Sequence, residues 1–132
     1  MSELWQIKYY HDLNGSQPVQ DFLQDPSLTS GELKQLRVRL YLLTTKGMSL
    51  LIERSDIIDK IETEDNIYEL RLDNTPNNPR FLFCVLSGKR IFILHAFKKK
   101  GRKTPKSEIS IAAKRRDLLL LREQNQEESK DE

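Results

Sequence analysis

The residues of this 132-residue chain best suited to phosphate chemistry are concentrated between Arg71 and Lys103. The densest group is Lys98-Lys99-Lys100-Gly101-Arg102-Lys103, five cations in six residues. Arg71 and Arg80 precede it, and His95 stands just before it. Arginine presents a planar fork of donors that matches phosphate oxygens, while lysine is a point charge whose pKa shifts readily on burial. An imidazole titrates near neutrality and can move a proton. Fixed cations beside such a group are what a protein needs to grip a phosphate and act on it.

A cationic loop is useful only when both its ends are held, and the flanking sequence supplies the holders. Arg90-Ile-Phe-Ile-Leu-His95-Ala-Phe97 reads as a strand. Arg80 to Leu86 is a second one, and the short Ser87-Gly88-Lys89 link predicts an antiparallel hairpin. Past the loop, Thr104 is expected to N-cap a helix, with Pro105 at its first position and Glu108 in its first turn. Ile67 to Leu72 alternates, so Leu70 and Leu72 facing the core would turn Glu69 and Arg71 outward. Glu69 would then pair with Lys60 or Arg71. The same alternation sets His95 on the face of Ile91, Ile93 and Phe97, as a half-buried imidazole.

Upstream, Trp5 to Tyr9 alternates as a strand does. Pro18 opens a first helix that Asp25-Pro26 ends, and Ser30 is expected to cap a second one with a Leu33, Leu36, Leu40, Leu43 stripe and Gly47 past its end. Residues 50–63 fit either a short helix or a bent extended piece. The order predicts an α+β domain, a small twisted antiparallel β-sheet packed against two N-terminal helices and a C-terminal helix.

The length suits one domain over residues 1–122. Residues 123–132 form an acidic tail expected to be frayed or disordered. The net charge of +2 hides a division: residues 1–70 carry a balance of −5, residues 71–122 of +11, and residues 123–132 of −4. An extended anion such as nucleic acid fits the middle block, although a solvated charged face would look the same. Cys84, the only cysteine, sits in an apolar strand and reads as a small core residue. No apolar run spans a bilayer and no signal peptide is legible, so a cytoplasmic protein is expected. Leu118 to Leu121 covers about 300° of helical arc, too much for one packing face, and predicts a partner surface.

Tyr68-Glu69-Leu70-Arg71, Arg80 before an apolar strand, Leu94-His95-Ala96-Phe97-Lys98-Lys99-Lys100, Lys103-Thr104-Pro105, and Glu108-Ile109 through Ala112 together resemble the RelE/ParE toxin superfamily, in particular its phage-related HigB-type branch. The resemblance covers residues 5–117 loosely and 68–113 specifically. It implies a RelE-like fold and the toxin of a type II toxin–antitoxin system. Such a toxin enters the ribosomal A site and cleaves mRNA by attack of the ribose 2′-OH on the adjacent phosphate, without a metal or other cofactor.

On that resemblance Arg80 matches the strand arginine that stabilises the phosphate, Lys99 and Lys100 match the basic pair after the last strand, and Arg71 matches the Glu-Leu-Arg arginine. Lys98, Arg102 and Lys103 become RNA contacts. The family's proton-transfer residue is a tyrosine or histidine near the last helix or C-terminus. This chain has no tyrosine after Tyr68, which leaves His95, the one histidine of the basic half, as base or acid. Its cationic neighbours should depress its pKa and keep it neutral, which suits a base better.

The partners implied are the ribosome, mRNA and a cognate antitoxin with a helix-turn-helix DNA-binding domain, docking through Leu118, Leu119, Leu120 and Leu121 or the acidic first half. Operator DNA would be met only through the antitoxin complex. Two other functions fit the same residues: a non-enzymatic gyrase poison of the ParE type, and a simple nucleic-acid-binding module.

Overall fold

The computed structural model describes residues 4–130, with side chains described through residue 127. Five strands form one sheet in the order β1-β5-β4-β3-β2: β1 Gln6–Tyr9, β2 Ile58–Lys60, β3 Tyr68–Arg71, β4 Pro79–Leu86 and β5 Arg90–Lys98. The helices are α1 Pro18–Leu23, α2 Ser30–Lys46, α3 Leu50–Glu53 and α4 Lys106–Lys130, with a 3-10 turn at Gly47–Ser49. The α+β class and the placement of helices follow the sequence expectation. Residues 50–63 contain both alternatives, a short helix and then an edge strand.

The β4–β5 hairpin is the spine of the sheet. Its turn requires positive φ at Gly88 (+80°) and Lys89 (+56°). The sheet is nevertheless mixed, because β1 pairs with β5 in parallel, with Gln6 opposite Arg90 and Tyr9 opposite Ile93. Between those strands the chain detours through the helices, so no tight turn imposes an antiparallel return. Ile7 and Tyr9 pack on the core in this parallel register.

Each face of the sheet is covered. Ile58, Leu70, Phe81 and Ala96 line up across four strands on one face, where Val19, Leu36, Leu43 and Leu50 pack over them. Leu82, Cys84, Leu94 and Phe97 point to the other face, under Ala112 and Leu119 of α4. Each fully buried Leu, Ile or Phe among them contributes about 1.5–3 kcal/mol.

Asp59, Glu69, Leu82 and His95 form a cross-strand row on the α4 face, and Arg71, Arg80 and Phe97 form the next one. A bulge aligns these rows on β5. Leu82 pairs with His95 while Phe83 pairs with Ile93, so Leu94 is the extra residue. His95 therefore stacks near Phe97, with ring centroids 5.8 Å apart, but faces away from Ile91 and Ile93. Simple alternation misplaced it by ignoring the inserted residue.

Helix ends differ from expectation by a residue each. Thr29, not Ser30, caps α2 through a capping box with Glu32. At α4 the Pro105 carbonyl accepts from Ile109 N at 3.2 Å, and the Thr104 hydroxyl is used elsewhere. α4 also continues well past Arg122, the boundary expected from composition. Glu, Gln and Arg are good helix formers, and Glu123 holds both prongs of Arg90 at 2.8 and 3.0 Å. Among the described residues, no helix is long and apolar enough to cross a membrane.

The leucine run divides by helical position. Leu119 is 6% exposed and belongs to the core under α4, whereas Leu120 and Leu121 are 44% and 54% exposed. Leu118 is half-buried.

Candidate functional site

The loop between β3 and β4 and the loop after β5 face each other across an open cavity of about 570 Å³. One wall is Asp73, Asn74, Thr75 and Asn78; the other is Lys99, Lys100 and Arg102, with Arg80 between them. The first wall is a rigid turn. Asn74 and Asn78 adopt φ of +60° and +43°, which asparagine tolerates better than most residues. Thr75 and Asn78 exchange backbone-to-side-chain hydrogen bonds at 3.2 and 3.0 Å.

Glu32, buried at the start of α2, accepts from Asn77 N at 2.9 Å and Asn77 Nδ2 at 2.8 Å, tying this turn to the helical layer. Burial alone would raise the Glu32 pKa. Hydrogen bonds from the Thr29 backbone, Asn77 and Thr75 outweigh it and bring the carboxyl down to about 2. The second wall is pinned at its root, where Lys99 N donates to Asn78 O at 3.2 Å. Lys100, Arg102 and Lys103 are exposed, and among the described residues none of them, nor Lys99, is engaged in an ion pair.

Arg80 is 5% exposed and held on several sides. Nη1 donates to Leu72 O at 3.0 Å and to Pro79 O at 3.3 Å, and Nη2 donates to Asp73 Oδ1 at 2.8 Å. A charged residue that opens a strand next to a polar loop is expected at the surface, where its loss would leave the fold intact. Its position at the start of β4 instead directs it inward, where it gathers the carbonyls of Leu72, just past β3, and of Pro79 in β4.

Arg71 stands opposite Arg80 in the β3–β4 register but outside the cavity wall. It bridges Glu69 Oε1 at 2.9 Å and Asp59 Oδ2 at 2.7 Å, and these carboxylates outweigh burial and raise its pKa. Glu69 itself is 1% exposed.

His95 does not line the cavity either. Its Nε2 contacts the Glu108 carboxylate, and its Nδ1 lies 3.3 Å from Arg115 Nη1. A neutral ring with the proton on Nε2 satisfies both: it donates to Glu108 and accepts from Arg115. Burial lowers its pKa most; Glu108 opposes this and Arg115 reinforces it. The expected direction therefore holds, but desolvation, not the lysine loop, is the main cause.

Lys98 is also turned away, paired with Asp25 at 2.8 Å and donating to the Ser27 hydroxyl. Lys103 stands exposed beyond the cavity's lining residues. Cys84 is buried, and desolvation pushes its thiol up to about 12, which makes it inert as a nucleophile.

Of the residues singled out from sequence, the cavity thus unites Arg80, Lys99, Lys100 and Arg102. Sequence reading missed the Asp73, Asn74, Thr75 and Asn78 wall. The available signal was a cluster of turn-forming polar residues facing a cationic loop from the neighbouring hairpin end. A comparison with curated proteins finds no match. A family profile described as phage-derived protein Gp49-like (DUF891) matches residues 27–117, which include every cavity residue. The chain thus belongs to the Gp49-like phage-derived family, a family of RelE/ParE-type toxins.

Proposed function

We propose that this protein is the toxin of a type II toxin–antitoxin pair and a ribosome-dependent mRNA endonuclease. The observation that carries the reading is the cavity in which Lys99, Lys100 and Arg102 face Asp73 and Asn74 over Arg80. Cations on one wall suit the phosphate; a carboxylate and amides on the other suit the ribose hydroxyl and a base edge. In the reaction the 2′-oxygen attacks phosphorus and the 5′-oxygen leaves, giving a 2′,3′-cyclic phosphate and a 5′-hydroxyl. Lys99, Lys100 and Arg80 stabilise the charge that develops on the phosphorane. Among the described residues Asp73 is the only carboxylate lining the cavity and is our choice for the 2′-OH proton; a lysine of the facing wall returns a proton to the leaving oxygen. His95, bonded through both nitrogens, acts outside this transfer.

Purified protein added to a translating extract should shorten messages at sites occupied by ribosomes; intact messages at toxin excess refute the proposal. A second reading, a gyrase poison that binds without cleaving, draws support from a cavity lined, among the described residues, by neither histidine nor tyrosine. It predicts loss of supercoiling activity in a purified gyrase assay, where the endonuclease has no effect. Under either reading a cognate antitoxin with a helix-turn-helix domain restrains the protein. The exposed Leu120 and Leu121, with half-buried Leu118, are the part of the leucine run left free for it.

A further inference from the structure

We infer that Glu69 is the positioning residue of the cationic cavity, acting through Thr104 to fix the loop that carries Lys99, Lys100 and Arg102. The inference rests on the cavity's being the working site, and on geometry that neither the family match nor the sequence pattern assigns. Glu69 is 1% exposed, yet its two oxygens serve different parts of the site. Oε1 accepts from Arg71 Nε at 2.9 Å and lies 3.8 Å from Arg80 Nε. Oε2 accepts the hydroxyl proton of Thr104.

The loop is held differently at its two ends. At its start Lys98 pairs with Pro79, and Lys99 N donates to Asn78 O at 3.2 Å. At its end Pro105 stands just before α4 and lacks an N–H, so it cannot donate a backbone hydrogen bond to the sheet. Thr104 is the last residue before it, and its side chain, drawn away from capping α4, reaches back to β3. Between these anchors lie Lys100, Gly101, Arg102 and Lys103, all exposed. Like charges in such a span repel one another, and a glycine adds conformational freedom. An anchor on a buried side chain of the sheet is therefore what keeps the cations aimed at one place. The same carboxylate offsets the facing Arg71 and Arg80 guanidiniums, linking the floor of the cavity to its cationic wall.

The test uses Thr104→Val, which keeps the shape and removes the hydroxyl, and Thr104→Ser, which keeps the hydroxyl. The loop is rich in trypsin sites, so limited tryptic nicking between Lys99 and Lys103 in the folded full chain reads its mobility directly. Thr104→Val should be nicked about tenfold faster than wild type, the factor carried by removal of a hydrogen bond to a charged acceptor. Thr104→Ser should match wild type. In the translating extract Thr104→Val should lose message cleavage by a similar factor and Thr104→Ser should retain it. Nicking of Thr104→Val at the wild-type rate overturns the inference. So does equally fast nicking of Thr104→Ser, which would assign the effect to the missing methyl group. If wild type leaves messages intact, the endonuclease reading fails, while the nicking comparison still decides the anchor. Glu69→Gln is the harsher variant, since it also strips the charge that offsets Arg71 and Arg80, and the Thr104 pair keeps the question answerable if it does not fold.

Discussion

Arg71 and Arg80 stand directly opposite each other across the β3–β4 pair, two like charges where a sheet ordinarily avoids them. Carboxylates resolve the conflict. Asp59 and Glu69 hold Arg71, and Asp73 holds Arg80, with Glu69 also near it. Arg80 is thereby both the floor of the cavity and a structural rivet. Arg80→Ala should cost about 3–5 kcal/mol, because it leaves the Leu72 and Pro79 carbonyls without their donor and takes a guanidinium from beside the buried Glu69. Arg80→Lys should recover only part of this, since one ammonium cannot reproduce the planar fork. Urea unfolding of both variants checks the claim, and equal stability to wild type contradicts it.

The exposed lysines behave oppositely. Lys99→Gln, Lys100→Gln should change stability by no more than about 0.5 kcal/mol. Binding of a single-stranded oligoribonucleotide should weaken, and its log–log salt slope should fall by about 1.4, at roughly 0.7 for each phosphate no longer neutralised. An unchanged slope would remove these lysines from the phosphate site.

Acid should loosen the polar wall through Glu32. Its folded pKa of about 2 lies below the ordinary 4.5, so its contribution is complete above about pH 4.5 and fades as pH falls towards 2. Thermal midpoints of wild type and Glu32→Gln should differ most at neutral pH and converge near pH 2. A gap that persists unchanged in acid contradicts the assignment.

Gly47 should tolerate no side chain. Its φ is +59°, and a Cβ there would lie 2.0 Å from the Trp5 indole nitrogen. Gly47→Ala should destabilise the protein by about 2–3 kcal/mol. Because Trp5 is the only tryptophan, its fluorescence reports both the unfolding and the local displacement.

How much of this was legible in the sequence depends on the range of the forces involved. The β4–β5 hairpin, the α2 stripe and the cationic loop followed from local periodicity and turn chemistry, and the structure contains them. His95 was misplaced because a bulge inserts Leu94 into the alternation, which no local pattern announces. Lys98 looked equivalent to Lys99, but its partner, Asp25, lies far away in the chain. Thr104 has the composition of a helix cap, and only the fold shows Glu69 competing for its hydroxyl. Burial of Leu119 beside the exposed Leu120 depended on which face of α4 meets the sheet.

The most direct test of the central claim is the chemistry of the ends left on mRNA in a translating extract. Attack by the 2′-oxygen predicts downstream fragments that begin with a 5′-hydroxyl and upstream fragments that end in a 2′,3′-cyclic phosphate. These products should be strongly reduced with Asp73→Asn and with Lys99→Gln, Lys100→Gln. Uncut messages, or fragments carrying 5′-phosphates made by hydrolysis with water, would contradict the account.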